Sequence, residues 1–151
     1  MQSFLRLTID IDDDGTCELF ATASANGFSG HGSAWFNLSQ IKDLSKLLCN
    51  TYPLKSTDCF ELKGGNWSAE QKNTLTQLHL GLSFYPVGHR GSVGCQVVLA
   101  TELVHDERKN SQHHASLEFL TSYDAIRAFS IELSDLANGK CKEAILYAVD
   151  I

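Results

Sequence analysis

Asp10, Asp12, Asp14 and Gly15 fall on the spacing D-x-D-x-D-G, the opening of a calcium-binding EF-hand loop. The chemistry fails further along. Counting from Asp10, the twelfth position should be a bidentate Glu and is Ala21. The flanks alternate with period two, through Leu5, Leu7, Ile9 and Ile11 before the acids and Cys17, Leu19, Ala21, Ala23 and Ala25 after them. That is the pattern of half-buried strands, not of helices. The stretch Asp12-Asp13-Asp14-Gly15 is therefore expected to be a β-hairpin turn, and no metal is expected on it.

The histidines are the next candidates. His105, Asp106, Glu107, His113 and His114 crowd one polar connection, and their side chains are capable of ligating a metal or exchanging protons. No His pair at helical spacing and no Cys pair accompanies them, so a solvated loop is expected. His79, between Leu78 and Leu80, is expected to point away from the apolar face of its strand. His89 and Arg90, flanked by Gly88 and Gly91, read as a hairpin tip able to meet an anion or a partner. Trp67 reads as a large aromatic in a loop, and Trp35 and Phe36 as neighbours of which one must face inward.

No G-x-S-x-G, P-loop or dinucleotide fingerprint occurs. Neither catalysis nor a cofactor is expected. The net charge of -6 repels phosphate backbones and attracts a basic protein, so the expected partner is a protein and not nucleic acid. No apolar run reaches the roughly 18 residues of a membrane span. The chain opens directly on a strand pattern, and its five cysteines form no C-x-x-C pair. Reduced thiols and a cytoplasmic location are expected.

At 151 residues the chain is expected to form one domain. After the first hairpin, Asn26-Gly27 signals a second turn and Phe28–Phe36 a third strand, loosened by Gly30 and Gly32. Ile41, Leu44, Leu47 and Leu48 then share a helical face, with Asn37 and Gln40 spaced as a capping box and Ser39 as a rival cap. Further strands cover "CFELKGG", "LTQLHLGLSFYPV", "SVGCQVVLATELV" and "ASLEFLTS". A second helix starts at a Thr121 or Ser122 cap and carries Tyr123, Ile126, Phe129, Ile131, Leu133 and Leu136. A last strand places Ile145, Tyr147, Val149 and Ile151 on one side. This order predicts an α+β fold of antiparallel sheets with two amphipathic helices. Laying "LSQIKDLSKL" over "LTSYDAIRAF" suggests pseudo-repeat halves 1–57 and 58–151.

The strands-helix-strands-helix order resembles the Whirly fold, with the first half one strand short. That resemblance implies a single-stranded nucleic-acid module, but no basic DNA-binding motif of that family is present. The runs "GHGSAWFNLSQIKDLSKLL", "FELKGG" and "HLGLSFYPVGHRG" are similar to small bacterial proteins that include immunity proteins of contact-dependent growth inhibition and other polymorphic toxin systems. That likeness implies a cytoplasmic, non-catalytic protein that occludes the active site of a cognate basic toxin domain such as a nuclease. The residues expected to meet it are Asp12, Asp13, Asp14, Trp67, His89, Arg90, Glu102, Asp106 and Glu107. The alternatives are the Whirly-type nucleic-acid module and a small metal-dependent enzyme using the histidine-rich connection.

Overall fold

The computed structural model describes residues 2–50, 52–105 and 107–149. Three strands, β1 (Phe4–Ile11), β2 (Thr16–Ala25) and β3 (Phe28–Asn37), lead into helix α1 (Leu38–Cys49). Four more, β4 (Phe60–Trp67), β5 (Leu75–Val87), β6 (Ser92–Ala100) and β7 (His114–Ser122), lead into α2 (Tyr123–Ala137), and β8 (Ala144–Tyr147) follows. Sheet A has the order β3-β2-β1-β8 and sheet B the order β4-β5-β6-β7. All neighbours run antiparallel. The fold is α+β, as the element order predicts. Among the described residues, no helix is long and apolar enough to cross a membrane.

Local chemistry explains the turns and caps. Gly15 closes the β1–β2 turn with φ of 86°, and Asn26 and Gly27 both take positive φ (53° and 85°) between β2 and β3. Two positive-φ residues in a row make the tight hairpin turn that matches strand twist. Asn37 begins α1: its backbone N–H donates to Gln40 Oε1 at 2.8 Å. Ser122 caps α2, its hydroxyl accepting from the Ala125 amide at 3.1 Å. With these caps matched, Ile41, Leu44, Ser45 and Leu48 correspond to Ile126, Phe129, Ser130 and Leu133, all buried. Leu38 then falls on Tyr123, not on Leu120 as in the superposition made from sequence. Both buried serines donate to the carbonyl three residues back, Ser45 to Lys42 (2.7 Å) and Ser130 to Arg127 (2.6 Å).

β8 lies far from sheet A in sequence but belongs to it, because Leu5 pairs with Leu146 and Leu7 with Ala144. Each sheet thus has four strands and an adjoining helix. The chain end also ties the sheets together: the buried Thr121 hydroxyl donates to the Tyr147 carbonyl at 2.8 Å, and the Val149 amide to the Leu120 carbonyl at 3.0 Å. The face of β8 is opposite to the expected one. Ala144 and Leu146 are buried, while Tyr147 and Val149 are exposed, because the phase is set by pairing with inward Leu5 and Leu7. Ile151 lies outside the described residues. Ile131 is exposed, on the outer side of α2.

The core joins the inner faces of both sheets to the helices through Leu5, Leu7, Leu80, Leu82, Phe84 and Phe129. Gly30 and Gly32 do not loosen β3. They let it lie close over sheet B, where a Cβ on Gly30 would stand 2.9 Å from the Ala115 Cβ and one on Gly32 3.4 Å from Leu99. Gly64 plays the same part from the other side, beneath Phe36 and Ala34. Among the described cysteines all five are free, with Cys17 and Cys95 buried and Cys59 exposed. Burial pushes the Cys95 thiol far above the ordinary range.

Candidate functional site

Three cavities join end to end along β3. The first, about 490 Å³, lies between Trp35, Asn37 and Gln40 on one side and Trp67, Lys72 and Asn73 on the other. The second, about 450 Å³, is lined by His31, Ser33, Asn66, His79 and Glu102, with Trp35 shared between the two. The third, about 120 Å³, continues from His31 to His113 and His114. One groove therefore follows the outer edge of sheet A over the rim of sheet B.

Sequence alternation decides what faces it. From Gly30 onward the even-numbered residues of β3 face the core, so Ala34 and Phe36 are buried and Trp35 is 53% exposed, while Phe28 at the strand's start is exposed. Trp67 is 49% exposed. It ends β4 opposite Leu75 and is not in a loop as expected, because β4 runs on through Gly64 and Gly65 after a register shift. The bulge lies on β5, where Leu78 pairs with Gly65 and Leu80 with Gly64, leaving His79 between them. This corrects the expectation for His79. The bulge turns its ring inward until it is 8% exposed.

The wall of the groove is fixed by side chains. Gln77 clamps the strap after β6, its amide donating to the Leu103 carbonyl (2.6 Å) and its Oε1 accepting from the Leu103 amide (2.9 Å). Since Oε1 already accepts there, His79 Nε2, 3.0 Å away, is the donor to it. Asn66 Nδ2 donates to Glu102 Oε2 at 2.9 Å and fixes that carboxylate on the rim. On β3, Ser33 donates to Glu18 (2.8 Å), and His31 stacks on Phe20 with its Nδ1 2.8 Å from the Thr22 hydroxyl.

Asp14 stands just beyond the Trp35 end. Its Oδ1 accepts from the Thr16 hydroxyl and amide, which holds the carboxyl below the usual aspartate range. Thr16 lines the groove, and the Gly15 carbonyl accepts from the Leu38 amide at 2.9 Å, locking the acidic turn to the start of α1.

The expected partner-binding residues divide accordingly. Trp67 lines one cavity of the groove and Glu102 the adjoining one, and Asp12, Asp13 and Asp14 form the exposed turn at its end. Glu107 is exposed on the same connection as Glu102, and Asp106 lies outside the described residues. His89 and Arg90 sit apart. They follow the far end of the 13-residue β5, roughly 40 Å along the strand from Trp67 at about 3.3 Å per residue. Trp35 was missed as a candidate, because alternation shows that either Trp35 or Phe36 faces out without saying which. Among the described residues, no three His, Cys, Asp or Glu side chains come together as a metal site. No family model, curated protein or solved structure matches the chain.

Proposed function

We propose that this protein is a binding module that occludes a basic protein domain, acting as a cytoplasmic immunity protein acts on a toxin nuclease. The observation that carries the reading is the pair Trp35 and Trp67, both half exposed in one groove. Rigid, half-buried tryptophans are characteristic anchors of protein interfaces, where truncation of one costs about 2 kcal/mol or more. The acids beside them supply the steering. Asp12, Asp13 and Asp14 lie at one end and Glu102 on the rim, within a chain of net charge -6. Charges so placed speed encounter with a cationic surface, and the aromatic anchors slow release.

Co-production provides the test. Cells making the toxin domain encoded beside this chain's gene should survive when the chain is made with it, and should die when the chain carries both Trp35→Ala and Trp67→Ala. Survival with the double variant, or death with the unaltered chain, contradicts the reading.

One observation favours a second reading. β8 supplies the strand that the Whirly resemblance lacked, so each sheet of four strands adjoins a helix. Exposed tryptophans also stack on unpaired bases. Retention of an oligothymidylate at about 150 mM salt would support it, because purely electrostatic contacts weaken steeply in that range.

A further inference from the structure

Among the described residues, the edge of β3 is unusual beside the three other edge strands, β4, β7 and β8. Exposed edges carry unpaired N–H and C=O groups, and proteins protect them with charge, proline, bulges or shortness. β4 carries Glu61 and Lys63 in an ion pair at 2.9 Å and has shifted register. β7 carries Glu118, and its Leu120 carbonyl accepts from Val149. β8 has only four residues. By contrast, β3 is ten residues long, reads FSGHGSAWFN, and has no charge, no proline and an unbroken register with β2.

The hairpin turn says which groups are free. A two-residue turn at Asn26-Gly27 makes Ala25 and Phe28 a hydrogen-bonded pair. Pairing then alternates, so Gly30, Gly32 and Ala34 bond to β2. Ser29, His31, Ser33 and Trp35 turn their backbone N–H and C=O outward, and among the described residues no protein group bonds to them there. These four residues run along the groove. Its opposite wall offers Asn66, Thr101 and Glu102.

We propose that the groove receives an extended, basic segment of the partner, which adds to β3 as a fifth strand of sheet A. This rests on the function proposed above and supplies its geometry. Only a polypeptide in β conformation presents alternating donors and acceptors at the spacing of the free β3 edge. Seven residues from Ser29 to Trp35 span about 20 Å of such pairing. Trp35 and Trp67 take up one end of the segment. Cationic side chains on it meet Glu102 at the rim and the aspartate turn beyond Thr16, while Lys72 at the Trp67 end excludes a second cation there.

A synthetic decapeptide library, screened against the whole protein, tests this. The expected hits are proline-poor, alternating peptides rich in Lys or Arg. Methylating the backbone nitrogens of a hit in one alternate set should weaken binding at least tenfold, and methylating the other set should change it little. Ser33→Pro, which removes an outward N–H and the Ser33–Glu18 side-chain bond but no backbone bond to β2, should also lose tenfold while keeping its circular dichroism. Because the methylated peptides leave the protein unaltered, the test survives if that variant fails to fold. Absence of hits above scrambled controls, indifference to methylation, or displacement of the peptide by oligothymidylate would overturn strand addition. Hits that are extended but neutral or acidic would uphold strand addition and sink the basic-partner reading beneath it.

Discussion

Sheets A and B have the same inner construction: antiparallel order, alternate buried residues and an adjoining capped helix. Their rims differ. On sheet B, Glu61 and Lys63 pair on one edge strand, and Glu118 on the other accepts the Tyr85 hydroxyl across a face smoothed by Gly94. On sheet A, β3 has neither charge nor bulge and borders the groove with both half-exposed tryptophans. The inner faces answer to folding, which both sheets must satisfy alike. The rims are free to diverge, and the proposed contact rests on that difference.

The largest effects should fall where the sheets are equivalent. Leu7 and Leu82 are both fully buried. Leu7→Ala and Leu82→Ala should each destabilise by about 2–5 kcal/mol in urea unfolding. A loss confined to one of them would show that the sheets do not share one core.

Between the sheets the effects should be smaller and unequal. A Cβ on Gly64 would stand 2.6 Å from the Phe36 ring, so Gly64→Ala should cost about 1–3 kcal/mol. At Gly32 the nearest atom is 3.4 Å away, and Gly32→Ala should cost less than about 1 kcal/mol. Equal costs would mean that β3 and sheet B approach as closely at Gly32 as at Gly64, against these distances.

A modest effect that depends on pH belongs to the face of sheet B. Burial, and the hydrogen bond to Glu118, push the Tyr85 phenol well above its ordinary value. A raised phenol pKa stabilises the fold fully below the unfolded value of about 10, and the contribution fades as pH rises past it. Tyr85→Phe should therefore cost about 1 kcal/mol near neutral pH. Its melting temperature should fall less than that of the unaltered chain between pH 9 and 11. Parallel decline of the two curves would deny the bond its role.

Much of the fold was legible because its signals are local. Asn26-Gly27, Asp14-Gly15, the Asn37 and Ser122 caps and the inward leucines of β1 and β5 each act within a few residues. What escaped depends on distant pairing. Ile145, Tyr147 and Val149 look like the apolar face of β8, yet Leu5 and Leu7 bring Leu146 and Ala144 inward instead. His79 is buried by a bulge that exists only where β5 meets β4. The candidate site was half legible. Trp67 and Glu102 stand out by type and context, but nothing local says that β3 is an edge or that Trp35 joins Trp67. The alternation of Gly30 and Gly32 with His31 and Ser33, in a strand without Asp, Glu, Lys or Arg, was the available signal, since a strand so bare is safe only when something covers it.

The central claim is that the β3 rim, and not the His89–Arg90 tip, makes the functional contact. Calorimetric titration with the basic domain proposed as the partner tests it most directly. Trp35→Ala with Trp67→Ala should weaken binding by at least about 100-fold, the equivalent of about 2.7 kcal/mol, while His89→Ala with Arg90→Ala should change it less than about threefold. The opposite ranking, or equal affinity of the tryptophan variant and the unaltered protein, would contradict the account.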